Sequence, residues 1–208
     1  HVYHAKGTKL PNHMVNMTSG IMSFKEVHKL AKSKGVTVTE FFAALLMDIH
    51  CRKQLKESRR LKEVSVQIPI NLRNIYPSKT MRNFSICLMV KVDPRYGEYT
   101  FDELLQQVAL QLRLQRDEKK INAQISTHVR IEKNPFLRFL PLPVKNLALS
   151  VATITSAEQT TSAYLSNLGP VVLPEELNEF VDKVILIPGP GMRTAARCGI
   201  SSYNDNLV

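Results

Sequence analysis

Capped helix starts alternate along this chain with short stretches of period-two hydrophobicity, and that alternation most constrains its fold. Ser23–Glu26, Thr37–Glu40 and Thr100–Glu103 each set a hydroxyl three residues before a carboxylate, the spacing of a capping box. Phe24, Val27, Leu30 and Ala31 then share one helical face, as do Phe101, Leu104, Leu105, Val108 and Leu112. The helix between them, "EFFAALLMDIHCRKQL", is apolar nearly all round in its first half and is expected to be buried against a sheet. Helices are expected over 24–34, 39–54 and 101–116, and strands over 64–70, 84–92, 163–168 and 183–187. "FSICLMVKV" is fairly apolar on both faces, which predicts a central strand. "MVNMTSGIMS" reads as a strand leading into the first helix. The third helix is expected to run on past Glu118–Lys120 towards His128, and Pro141–Pro143 to break the helical sequence. A further helix shows Val144, Leu147, Ala148, Val151 and Ile154 at helical spacing, and Pro174–Phe180 reads as a short acidic helix. "GPGMRT" is expected to turn a hairpin between "VDKVILIPG" and "AARCGISSYNDNLV". The fold class is α/β, a mixed β-sheet flanked by helices.

Composition bears on partners. The 208 residues suffice for one lobe or domain, and 44% hydrophobic with 22% charged residues is ordinary for a soluble globular chain. No apolar run approaches the roughly 20 residues of a membrane helix, so no membrane partner is expected. The chain starts at His1 rather than Met and stops inside the apolar "SSYNDNLV", so a piece of a larger protein is expected. Cys51, Cys87 and Cys198 form no CxxC and read as buried thiols in a reduced, cytoplasmic setting. His1 and His4 make an HxxH without two further visible ligands, so no metal is expected. His28 and His50 read as surface residues. Residues 1–62 hold 12 Lys/Arg against 4 Asp/Glu, much of the excess lying in "CRKQLKESRRLKE". No aromatic residue interleaves that run, so a solvated helix end is the default and nucleic acid is disfavoured. An acidic partner or a polyphosphate ligand lies between the two.

No GxSxG, HExxH, phosphate-binding P-loop or GxGxxG occurs, and Gly189–Gly191 reads as a turn. Two segments carry more. In "QIPINLRNIYPSKTMRNFSI", Pro69 interrupts a strand, while Arg73 and Asn83 are placed to bond loop backbone and fix how two strands enter the sheet. In "AYLSNLGPVVLPEEL", Ser166, Asn167, Gly169 and Pro170 break into an apolar strand, as a strand splaying from its neighbour beside a channel requires. The plainer readings are a polar turn and an edge strand.

Taken in order, "IPINLRN…RNFSICLMVKVD", a capped amphipathic helix, "YLSNLGPV" and "GISSYNDNLV" resemble the C-terminal half of the chloramphenicol-acetyltransferase-like superfamily. That group includes CoA-dependent alcohol O-acyltransferases, wax-ester synthase-like enzymes and peptide-synthetase condensation domains. "PINLRN" resembles its P-x-x-x-R strand end, "SNLG" its late S-N-x-G strand, and "GVTVTEFFAALL" the helix before them. The resemblance implies a two-layer sandwich in which residues 1–208 form one lobe of a two-lobed enzyme. It implies transfer of an acyl group, acetyl first, from a thioester to a small alcohol, with acyl-CoA as co-substrate and no tightly held cofactor. The family's HHxxxDG, whose histidine deprotonates the acceptor, is absent, so no catalytic residue is expected in this chain. In two-lobed members that motif belongs to an N-terminal lobe, the implied partner, and a lobe without it is expected to self-associate. Ser166, Asn167 and Gly169 would line the substrate channel, with Arg73 and Asn83 as structural support. An inactive binding or scaffolding module is the rival reading, and a basic nucleic-acid-binding domain the weakest.

Overall fold

A computed structural model describes residues 2–7, 10–11, 14–135, 139, 141–152, 160–189 and 196–208. In chain order the elements are β1 (Met22–Ser23), α1 (Phe24–Ser33), α2 (Val38–Glu57), β2 (Val64–Asn71), β3 (Ser85–Val92), α3 (Phe101–Gln115) and α4 (Glu118–Lys133). They continue as α5 (Leu142–Ala152), β4 (Ala163–Pro170), α6 (Glu175–Asn178), β5 (Ala196–Tyr203) and β6 (Asn206–Leu207). Among the described residues the strands form one mixed sheet of six in the order β1-β6-β5-β4-β2-β3. β2, β4 and β5 run parallel, and the other neighbours pair antiparallel. The α/β class expected from the alternation is the class found.

One face of the sheet makes the core. Val64, Val66, Ile68, Ile86, Leu88, Val90, Val92, Ala163 and Leu165 are buried on it, against Ala43, Ala44 and Met47 of α2 and Leu104, Leu105, Val108 and Leu112 of α3. The ladder registers Val66 with Val90 and with Ala163, so these alternate positions share a face. Burying about ten such side chains is the main stabilising term, each worth ~1.5–3 kcal/mol. The other face carries Ser85, Cys87, Met89 and Lys91 of β3, none of them buried. Over β5 it is crossed by the segment 171–189. There Ser201 Oγ donates to Val184 O at 2.6 Å, and a methyl on Gly199 would overlap the Leu186 carbonyl.

Several expectations are corrected. β3 is an edge strand, because Cys87 and Met89, which make its second face look apolar, point away from the core. Its free edge is occupied by side chains of α3. Gln111 bonds both the N–H and the carbonyl of Lys91 (2.9 and 2.8 Å), and Gln115 does the same for Met89 (3.1 and 2.7 Å). Pro69 does not interrupt β2, which pairs with β3 from Val64 to Asn71. Beyond Gln67 the β4 side of β2 has no ladder, and proline is tolerated at such an edge. Residues 183–187 form no strand. The hairpin partner of β5 is β6, through a turn in which Asn204 takes φ 53°, while residues 190–195 of the expected turn lie outside the described residues. Of "MVNMTSGIMS" only Met22–Ser23 is strand. Asp117 caps a separate α4 by accepting from Lys119 and Lys120 N–H, so the third helix does not run on. Ile154 also lies outside the described residues. His50 is buried, at 3% exposure, and Cys87 is exposed.

Candidate functional site

β2 and β4 are stitched together where they begin and part where they end. At the start, Ser162 N–H donates to Ser65 O at 2.9 Å, Ser65 N–H to Ser162 Oγ at 3.1 Å, and Ser65 Oγ–H to Thr160 O. The ladder between the strands then covers only Val66–Ala163 and Gln67–Tyr164. Both strands continue, β2 to Asn71 and β4 to Pro170, without further pairing, and the unpaired interval at their C-terminal ends is a candidate cleft. Clefts at the carboxyl ends of parallel strands are the common location of ligands in α/β sheets.

Ser166 and Asn167 lie on β4 within this cleft, and both are half-buried. Asn167 Nδ2 donates to Thr39 Oγ1 on the first turn of α2 at 2.9 Å, and its Oδ1 accepts from Gly169 N–H at 2.8 Å. That second bond spans a register shift against β5 between Asn167 and Pro170, where Gly169 takes φ 77°. A left-handed backbone there favours glycine. The departure from β2 begins before Leu165, two turns of the pleat ahead of Gly169, so the glycine shapes the β5 side. Leu168 is left 57% exposed.

Arg73 stands in the turn directly after β2. Its guanidinium donates to Thr80 O and Arg82 O at 2.8 and 2.7 Å, closing the loop 75–84 over itself. Asn83 Oδ1 accepts from Ser85 Oγ at the mouth of β3 at 2.9 Å. These two residues hold the β2–β3 connection, whereas Ser166 and Asn167 sit on the neighbouring strand end. All four belong to the end of the sheet where the cleft opens.

Arg197 was missed by the sequence reading. It is opposite Tyr164 in the ladder, its guanidinium lies 5.3 Å from the centre of that ring, and its buried Nε has no hydrogen-bond partner among the described residues. Burial raises the Tyr164 phenol, which therefore stays neutral. A cation over a ring at a strand pairing of this kind leaves no mark in local sequence, because the two residues are 33 positions apart.

Neither His50 nor Cys51 serves as a base at this end of the sheet. His50 is on α2, 11 residues beyond Thr39, which is about 16 Å along a helix. His28 stacks on Phe24 of α1, and His128 is on α4. The Cys51 thiol is pushed up to about 11, first by burial and then by Asp48, so it is no nucleophile near neutral pH. Among the described residues no group of three or more His, Cys, Asp or Glu side chains is placed to hold a metal ion, and no helix is long and apolar enough to cross a membrane. Within the basic run, Arg52 pairs with Asp48 at 2.8 Å and Lys53 with Glu57 at 3.1 Å, each one helical turn apart. Arg59 and Arg60 follow the C-terminus of α2, roughly 27 Å along that helix from Thr39.

No family model matches the chain, and no curated protein matches it. Among solved structures the chain is similar to a wax ester synthase/diacylglycerol acyltransferase from Marinobacter aquaeolei VT8, with a TM-score of 0.49 and 12% identity over 90% of this chain and 40% of that one. It is also similar to vinorine synthase, with a TM-score of 0.43 and 12% identity over 90% of this chain and 41% of that one. The chain thus spans about two fifths of the length of either structure.

Proposed function

We propose that this chain is the C-terminal lobe of a CoA-dependent acyltransferase that passes an acyl group, acetyl first, from a thioester to an alcohol. The observation that supports the reading is the end of the β2–β4 ladder at Gln67–Tyr164, beyond which β4 carries Ser166 and Asn167. In the reaction a base takes the alcohol proton, the oxygen bonds the thioester carbonyl carbon, the C–S bond breaks and the thiolate is protonated. The family's HHxxxDG is absent from this sequence, so we assign that base to the implied N-terminal lobe facing this one. The part left to this lobe is orientation, through the Ser166 hydroxyl and the second amide proton of Asn167.

A non-catalytic scaffolding module is the second reading. It is favoured by one observation: both polar atoms of Asn167 are already bonded within the chain. The full-length protein separates the two. Asn167→Asp keeps an acceptor for Gly169 N–H and another for the Thr39 hydroxyl, but loses the amide protons. If Asn167 orients substrate, Asp in its place lowers turnover by about tenfold or more while thermal stability is kept. Turnover equal to wild type would remove the orienting role, and absence of any acyl-CoA-dependent ester formation would favour the module.

A further inference from the structure

The face of the sheet turned away from α2 and α3 holds a cation without a counter-charge. β2, β3, β4 and β5 contain no Asp or Glu, and their two cations are Lys91 and Arg197. Lys91 is exposed on the edge strand β3, where water solvates it. Arg197 is half-buried on β5, an interior strand. It alternates with Ala196 and Cys198, which pack on the core, so its side chain stands on the outer face. Tyr164 stands there too, between the core residues Ala163 and Leu165. The ladder sets Tyr164 beside Arg197, and Ser166, about 7 Å further along β4 on the same face, beside Gly199. Beyond Gly199 the face is covered by Leu186 and Pro188. Asp182, the acid of that stretch, lies at the far end, its carbonyl accepting from Asn206 on β6.

A guanidinium drawn from water into the middle of a sheet is ordinarily held by a carboxylate, because an unpaired charge there is costly. Arg197 has instead the Tyr164 ring, 5.3 Å from its centre. A ring attracts the charge but leaves the in-plane N–H donors of the fork without oxygen acceptors. Among the described residues Arg197 takes part in no ion pair, and its buried Nε has no acceptor. We infer that Arg197, held by Tyr164, is the receptor for an oxyanion, a carboxylate or phosphate group, on a ligand that lies along the outer face beside Ser166. The planar fork matches two oxygens of such a group at once, and the Ser166 hydroxyl is a further donor on the same side. Assigning that anion to a substrate rests on the proposed function: it is then either a phosphate of the acyl-CoA or a carboxylate on the alcohol. The receptor itself does not rest on it.

The test follows the Nε–H resonance of Arg197 in isotope-labelled residues 1–208, assigned by its loss in Arg197→Lys. Coenzyme A is titrated against pantetheine, which lacks its phosphates, and lactate against isopropanol, which lacks the carboxylate. A saturable shift with coenzyme A or with lactate is expected, and none with the neutral counterpart; the probe that acts tells phosphate from carboxylate. By calorimetry, Arg197→Lys keeps the charge but loses the fork and should bind that probe roughly tenfold more weakly. Tyr164→Leu should weaken it as well, whereas Tyr164→Phe keeps the ring and should bind as wild type, with circular dichroism unchanged throughout. No saturable shift with either anion, or binding indifferent to Arg197→Lys, would overturn the inference. The outcome is separable from acyl transfer, since no ester has to form: anion binding at Arg197 in a full-length protein without turnover would keep the receptor and remove the acyltransferase.

Discussion

Asn167 and His50 show how much a single position decides here. Asn167 ties β4 to the first turn of α2 and pins the bulge at Gly169, so Asn167→Ala should lose both bonds and cost ~1–3 kcal/mol, read as a lowered urea midpoint. His50 has a different vulnerability. Its Nδ1 lies 2.7 Å from Leu46 O, and a carbonyl only accepts, so Nδ1 carries the proton and the buried Nε2 is left without a partner among the described residues. Burial, with Lys53 nearby, holds the imidazole below its ordinary pKa, against the opposing pull of the Leu46 carbonyl. The folded state then resists the second proton that the unfolded chain accepts. Stability is therefore complete above about pH 7 and falls as pH drops through the ordinary histidine range towards the lowered folded value. His50→Leu should remove that slope between about pH 5 and 7 in urea titrations, while the carboxylate titrations below it persist. A slope identical to wild type would assign the loss to other groups. Sequence could not place this residue, because burial of His50 depends on Tyr3, 47 positions away, whose ring lies against it in an edge-on contact.

At the scale of elements, local chemistry was legible and partner-dependent chemistry was not. Thr37–Glu40 and Thr100–Glu103 form the complete capping boxes that their spacing announces. Ser23–Glu26 is only half a box: Ser23 Oγ accepts from Glu26 N–H but itself donates to Asp205 Oδ2, and Asp205 Oδ1 takes Lys25 N–H. Asp205, 182 positions from Ser23, thus adds to this cap by taking the Phe24 and Lys25 N–H groups, and no local pattern encodes it. The same holds for the edge of β3. Gln111 and Gln115, four residues apart on α3, rise about 6 Å, close to the two-residue step from Met89 to Lys91 in a strand. Two amide side chains thereby stand in for a seventh strand and block edge-to-edge pairing. Replacing both by alanine should cost about 1–3 kcal/mol in chemical denaturation, the lower part of the range because water can replace some of the four bonds. Light scattering on warming should rise with it, since an unpaired edge is a template for another chain. The central-strand expectation for "FSICLMVKV" failed for the same reason: apolar residues on a second face look alike whether a neighbour or a pair of glutamines covers the edge.

For the whole molecule, the cleft and what it lacks lead to one expectation. The pattern SNLG made a splayed strand legible, since Gly and Pro in an apolar strand have few other uses, and the parting of β4 from β2 is found where Ser166 and Asn167 lie. The composition of the site was less legible, because Tyr164, Arg197 and Thr39 join it only through the sheet register and the docking of α2. A reaction that removes a proton from an alcohol needs a base within hydrogen-bond reach, a contribution typically worth ~100- to 10,000-fold. His50 is about 16 Å too far along α2, Cys51 keeps its proton to about pH 11, and the Tyr164 phenol is raised further above neutrality by burial. Purified residues 1–208 should therefore form no ester from acyl-CoA and an alcohol above the uncatalysed rate, even where calorimetry detects acyl-CoA bound. Adding a separately produced N-terminal lobe that carries a histidine pair should restore turnover if the two lobes share the cleft. Turnover by residues 1–208 alone would place the base within this chain, and the division of labour between two lobes would fall with it.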